Sequence, residues 1–130
     1  MDNLRTFPVE KLQSFGEQAF EKVGVPKEDA QLMTRSLVEA DLRNVSTHGV
    51  VRLPVYVNRI RDGWIVPVAE PEIVSQSATT AVIDGKNGLG QVVGAQAMDL
   101  AIEKAKEANL GAVTVRNSNH FGAAAFYALR

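Results

Sequence analysis

The sequence predicts an α/β fold: an N-terminal helical segment in residues 1–66, then the start of a mixed sheet with covering helices in residues 67–130. Three observations carry that prediction. Apolar residues recur at helical spacing as far as Ile60, and short runs rich in β-branched residues appear only after Pro67. From there strand-like and helix-like stretches alternate, which is the order of an α/β domain.

The first helix is expected over Phe7 to Val23, where Leu12, Phe15, Ala19, Phe20 and Val23 follow the helical period and Pro8 and Val9 suit a first turn. A second starts near Pro26, with Lys27, Glu28 and Asp29 in its opening turn and a stripe through Ala30, Leu32, Met33, Leu37, Val38 and Leu42. It ends around Arg43 or Asn44. After the turn Val45 to Gly49, Leu53, Val57 and Ile60 mark a third helix, stopped by Asp62-Gly63. Glu72 to Ser75 and Thr79 to Asp84 predict two strands around a turn at Gln76-Ser77-Ala78. A loop over Gly85 to Gly90 leads to a long helix with Val93, Ala97, Leu100, Ala101, Ala105 and Ala108 inward and Asp99, Glu103, Lys104 and Lys106 outward. Ala112 to Val115 predicts a third strand, and the alanine-rich stretch Ala123 to Arg130 another helix. Three strands are few for a complete domain of this class, so the element count points to part of a longer fold.

Composition narrows the chemistry. Positive and negative residues nearly cancel, 14 against 15, and no basic cluster forms, which argues against a nucleic-acid or lipid-surface partner. No apolar run approaches the ~18 residues a membrane span needs, and Asp2, Arg5, Glu10 and Lys11 stand where a signal peptide would be apolar. A cytoplasmic protein acting on a small metabolite is the expectation. The chain has no cysteine, and its two histidines lack metal-ligand spacing, so no metal is expected.

His48 lies in a polar turn beside Ser46, Thr47 and Gly49, and histidine is the side chain that exchanges protons near neutrality. Arg52 and Tyr56 follow at four-residue steps, so a helix starting at or just before Gly49 would project all three from one face. Reduction of a 2-oxoacid needs a proton for the carbonyl oxygen and a fixed cation for the carboxylate. His48 suits the first task, Arg52 with its planar fork suits the second, Tyr56 adds a hydroxyl donor, and Thr47 can orient the imidazole. Against this stands a plain reading, in which Ser46 or Thr47 caps the third helix and Arg52 and Tyr56 pair with surface carboxylates. Pro54 is a further constraint, because it can move the helix start beyond Arg52.

Two loops offer further sites. Ser118-Asn119-His120-Phe121-Gly122 joins a strand to a predicted helix start and suits an anionic ligand; alternatively Ser118 or Asn119 caps that helix. Gly88 to Gly94 has the look of a dinucleotide-binding glycine loop, but its third glycine comes one position late and Arg116 stands near where an acidic ribose ligand belongs. Arg116 could instead meet a 2′-phosphate, and a plain loop leading into a helix is the simpler account. Trp64, Phe121, Phe126 and Tyr127 are expected to pack rather than to stack on a ligand.

Glu39-Ala40-Asp41-Leu42-Arg43 with Thr47-His48-Gly49-Val50-Val51-Arg52-Leu53-Pro54-Val55-Tyr56 resembles the EADLRGxDSHGVxRLPxY signature of the malate/L-lactate dehydrogenase-like family. Asn117-Ser118-Asn119-His120-Phe121-Gly122 resembles its SxHFG signature, and Val82 to Gln91 its VDGxxGxGQ segment, in the same order. The resemblance implies a non-Rossmann fold, a homodimer, and hydride transfer between NAD or NADP and a 2-oxoacid/2-hydroxyacid substrate such as malate or lactate. It implies His48 as proton donor with Thr47 beside it, and Arg52 with Tyr56 on the substrate. Ser118, His120, Phe121 and Gly122 fall on the cofactor side, with His120 the second choice as acid/base. Thr47 stands where serine is usual and Ser46 where aspartate is common. Members of the family also continue well beyond Arg130, through further cofactor-binding segments and a catalytic aspartate. The chain is therefore expected to be a truncated member, and a non-catalytic role through dimerisation alone is the alternative.

Overall fold

The structure, a computed structural model, describes residues 5–130. Helix α1 (Val9–Glu21) starts behind Pro8, whose ring fixes φ at −58°, and buries Gly16 and Phe20 against helix α2 (Lys27–Leu42). Glu28 and Asp29 occupy the first turn of α2, where the helix dipole favours negative charge, and Ala30, Met33, Thr34, Leu37 and Val38 form its buried stripe. The chain leaves α2 through Asn44 in the left-handed region, φ 59°, a conformation asparagine tolerates well.

Two 3-10 turns, Ser46–His48 and Val50–Arg52, come next, and α3 (Leu53–Arg61) begins only then, with Pro54 in its first turn. Of the two starts the sequence left open, at Gly49 or beyond Arg52, the chain adopts the second. Proline cannot donate to the carbonyl four residues back, so regular α-helix cannot extend backward through Arg52. Gly63, φ 76°, comes just after the end of α3.

Strands β1 (Glu72–Gln76) and β2 (Thr80–Asp84) pair antiparallel, with a bulge between Ile73 and Ser75. The Ser77 hydroxyl stabilises their turn by accepting the Thr80 N–H at 3.0 Å. Helix α4 (Gly90–Ala108) crosses back to β3 (Ala112–Arg116), which pairs parallel to β2. The sheet is mixed, in the order β1-β2-β3. A four-residue helix, α5 (Ala125–Ala128), is shorter than the alanine-rich stretch suggested.

Phe20, Met33, Leu37, Leu53, Tyr56, Ile60 and Ile65 make the helical core, and Leu89 from the loop before α4 enters the same cluster. Ile83, Val93 and Ala97 form a second cluster where α4 covers the sheet. Lys104 departs from the expected outward pattern: it is buried, and its ammonium donates to Ser77 O at 2.7 Å and Gln76 Oε1 at 3.2 Å, tying α4 to the β1–β2 turn. Its carbon stem packs while its head finds acceptors, the usual way a lysine tolerates burial. Trp64 is also corrected, being 71% exposed, whereas Phe121 is half-exposed with its ring against Tyr127, and Phe126 and Tyr127 are buried as expected. Among the described residues no helix is long and apolar enough to cross a membrane.

Candidate active site

The turn carrying His48 is held from below by Asp41, in the last turn of α2. Its Oδ2 accepts the Val50 N–H at 2.8 Å, and a Cβ on Gly49 would collide with the same carboxylate. Glycine is required there by close approach, not by unusual dihedrals.

On this base the side chains converge without sharing a helical face. Thr47 Oγ1 lies 3.0 Å from His48 Nδ1. Arg52 Nε donates to the Thr47 carbonyl at 2.8 Å and, among the described residues, makes no salt bridge. Its two terminal nitrogens therefore remain for another acceptor. Tyr56 is 2% exposed, with its ring near Phe20 and its hydroxyl oxygen 2.7 Å from His120 Nδ1. The two histidine rings stack, with centroids 5.5 Å apart and planes 26° from parallel. The surface-carboxylate reading of Arg52 and Tyr56 is not what the chain adopts, and neither Ser46 nor Thr47 makes a helix cap.

The electrostatics reflect this crowding. Partial desolvation, then the charges of Arg52, His48 and Arg59, push the His120 pKa down, so its neutral form is favoured. Burial raises the Tyr56 phenol, with Gln91, Arg52 and Arg59 pulling the other way, and Tyr56 stays protonated at neutral pH.

The His120 loop is positioned by its neighbours. Asn119 Nδ2 donates to the Gly88 carbonyl at 2.9 Å and the Asn87 carbonyl at 3.1 Å, and Gly122 N–H donates to His120 Nδ1 at 3.3 Å. Neither Ser118 nor Asn119 caps a helix: Ala123 and Ala124 intervene before α5. The glycine loop has a packing role. A Cβ on Gly90 would collide with the Asn119 and His120 carbonyl oxygens, so acceptors cover the start of α4 where a phosphate would need donors. Arg116, considered for a 2′-phosphate, instead donates to Asp84 at 3.1 Å. Asp84 is buried, and its carboxyl is held below the usual range by the Lys86 N–H first, then by Asn117 and Arg116.

Sequence reasoning missed Asp41, Gln91 and Arg59 as site residues. Arg59 had a readable signal, three residues beyond Tyr56 and seven beyond Arg52. Asp41 and Gln91 stand in segments that resemble the family's signatures, but their contacts are with other elements and no spacing shows them. Among the described residues no group of three or more His, Asp or Glu side chains is arranged to hold a metal.

Comparison with known proteins places this geometry. The family described as malate/L-lactate dehydrogenase matches residues 7–130. Malate dehydrogenase of Pyrococcus horikoshii is 45% identical over 128 residues, covering 98% of this chain and 36% of that protein. L-sulfolactate dehydrogenase of Methanocaldococcus jannaschii is 50% identical over 106 residues, 82% of this chain and 31% of that protein. The solved structure of the Pyrococcus horikoshii enzyme superposes with a TM-score of 0.96 over 99% of this chain and 37% of its own. The chain thus spans about a third of the length of these relatives. With its signatures assembled around one cluster and its fold shared with theirs, the chain belongs to the malate/L-lactate dehydrogenase family.

Proposed function

We propose that this chain forms the substrate-holding and proton-donating part of an oxidoreductase that interconverts 2-oxoacids and 2-hydroxyacids, of the malate, lactate or sulfolactate type. One observation carries the reading: a half-buried Arg52, without a carboxylate partner among the described residues, stands in a cluster with two stacked imidazoles. A small carboxylate is the natural occupant, because the free terminal nitrogens can grip both its oxygens. His48 then gives its proton to the carbonyl oxygen, with its Nδ1 turned to Thr47 and its Nε2 without a protein partner among the described residues. His120 is the weaker acid candidate, because its surroundings disfavour the proton.

The family implies a nicotinamide cofactor, NAD or NADP, and the donor set fits one end of it. Ser118, Asn119 and the half-exposed Phe121 line a groove of about 890 Å³ beside α4 and β3, floored by Gly90, Gly94 and Ala97. Ser118, His120 and Phe121, with the Gly122 backbone, would hold the nicotinamide end. When bound, that group supplies or accepts the hydride. The covered start of α4 does not suit the pyrophosphate. A homodimer agrees with the family resemblance, and the exposed Phe15, Leu42 and Trp64 are apolar surface that a partner subunit could cover.

The test is oxidation of NADH and NADPH, followed by absorbance, with oxaloacetate, pyruvate and sulfopyruvate. It uses this chain and a chimera joining it to the remaining part of the 45%-identical malate dehydrogenase. Expected is turnover in the chimera, reduced roughly 100-fold or more by His48→Ala. A loss below about tenfold would overturn His48 as the acid. No turnover and no cofactor binding in either protein, with a stable dimer, would favour the non-catalytic alternative.

A further inference from the structure

Tyr127 in α5 is buried, and its hydroxyl donates to the Phe121 carbonyl, in the loop that carries His120. Phenylalanine would fill the same space with no polar atom to satisfy, so the hydroxyl is the part of this side chain that needs a reason. The ring is seated on α4: a Cβ on Gly94 would stand 3.0 Å from Tyr127 Cε1, 3.1 Å from Cζ and 3.3 Å from the hydroxyl oxygen. Phe126 packs edge-on against it, with ring centroids 5.3 Å apart. Arg130 fastens the end of the same segment to α4 through both carboxylate oxygens of Asp99, at 2.9 and 2.8 Å. The hydroxyl thus meets the loop from a base that is anchored independently of it.

What it grips is one half of a peptide unit whose other half faces His120. The Phe121 carbonyl and the Gly122 N–H belong to the same planar trans peptide, which points them in opposite directions. The carbonyl accepts from Tyr127, and the N–H is aimed at His120 Nδ1, 3.3 Å away. Gly122 has φ 80°, and glycine populates positive and negative φ with similar ease. The loop backbone therefore does not by itself choose between this peptide orientation and the flipped one, which would turn the N–H away from His120. The contact with Tyr127 supplies the choice.

We propose that Tyr127 is a positioning residue: by capturing the Phe121 carbonyl it fixes the 121–122 peptide with its N–H toward His120, and so sets the loop that would receive the nicotinamide end of the cofactor. It acts through that peptide and not on the imidazole itself. Burial pushes the Tyr127 phenol up, so the hydroxyl keeps the hydrogen it donates throughout the neutral range. The functional meaning rests on the oxidoreductase reading, whereas the peptide orientation does not.

The experiment is amide and imidazole NMR across pH 5 to 8, in the wild-type chain, Tyr127→Phe and Phe126→Leu. In the wild type the Gly122 amide shift is expected to follow the titration of the His120 ring. His48, Arg52, Tyr56 and Arg59 also face that ring, so the His48 titration is followed in the same spectra to keep the two histidines apart. In Tyr127→Phe the Gly122 amide should exchange with water roughly tenfold faster and lose its link to His120, while the amides of α4 stay protected. Phe126→Leu removes packing from the same helix but no hydroxyl, and should lower stability with the link intact. A wild-type Gly122 amide indifferent to His120 overturns the proposal, as does a Tyr127→Phe chain that keeps the link. A Phe126→Leu chain that loses it does the same, since packing alone would then be the cause. Should Tyr127→Phe not fold, the wild-type hydroxyl proton decides: slow exchange and a contact to Phe121 are expected, and exchange as fast as that of a free phenol overturns the proposal. None of these signals needs turnover, so an inactive chain would count against the oxidoreductase reading and leave this test intact.

Discussion

Asp41 Oδ2 holds the Val50 N–H at 2.8 Å and occupies the space over Gly49, so the geometry of the His48 turn depends on a residue nine positions before Val50. Asp41→Ala leaves that N–H without its acceptor and is expected to lower stability by about 1–3 kcal/mol, as read from urea unfolding. Gly49→Ala forces a methyl group into the carboxylate and should cost a similar ~1–3 kcal/mol. Gly90→Ala should displace the His120 loop, because the obstacles there are backbone carbonyls that cannot rotate away; the His120 ring resonances would register it. At this scale residue type and spacing did much. His48 and His120 were marked by their chemistry in polar loops, Arg52 and Tyr56 by four-residue spacing, and the four are neighbours in the fold. The meeting of His120 with Tyr56 crosses 64 positions of sequence, however, and no periodicity encodes it. Asp41 and Gln91 fall in signature-like segments, yet what they touch belongs to other elements and is not encoded in local spacing.

At the scale of elements, the helices and strands were legible wherever one face is apolar and the other polar, which holds for α1, α2 and α4. The start of α3 was the exception. Four-residue spacing suggested one continuous face, but Pro54 confines the regular helix to residues beyond Arg52, and the 3-10 turns before it aim His48 and Arg52 differently. Tyr56 turns into the core, and the cluster forms at the junction instead of along a stripe. Lys104 shows the reverse error, a charge that local pattern placed outside and the β1–β2 turn drew in. Lys104→Met keeps the packed stem but leaves the Ser77 carbonyl without its donor, and a loss of about 1–3 kcal/mol is expected in denaturant titration. A loss near zero would mean that water replaces the ammonium.

For the whole molecule, the order of elements predicted the fold class, but which loops meet was beyond reach, since Asn119 joins the 87–88 loop only after α4 has returned the chain to the sheet. Two lowered pKa values make the assembled fold sensitive to acid. His120 titrates lower when folded, so its contribution is full above about 6.5 and is lost as pH falls through the folded value. Asp84 behaves likewise one step lower: its contribution is present above about 3.8 and disappears as pH falls through its depressed folded pKa. Unfolding midpoints at pH 7, 5 and 3 should therefore decline in two stages, the second weakened by Asp84→Asn. The Tyr56–His120 bond has a consequence in time as well as in space. At ~5–20 residues per second of synthesis, the 64 positions between its partners correspond to roughly 3–13 s during which a nascent chain holds the phenol without its imidazole. On the ribosome the histidine pair is a late product, assembled only after the strand–helix–strand unit has been made.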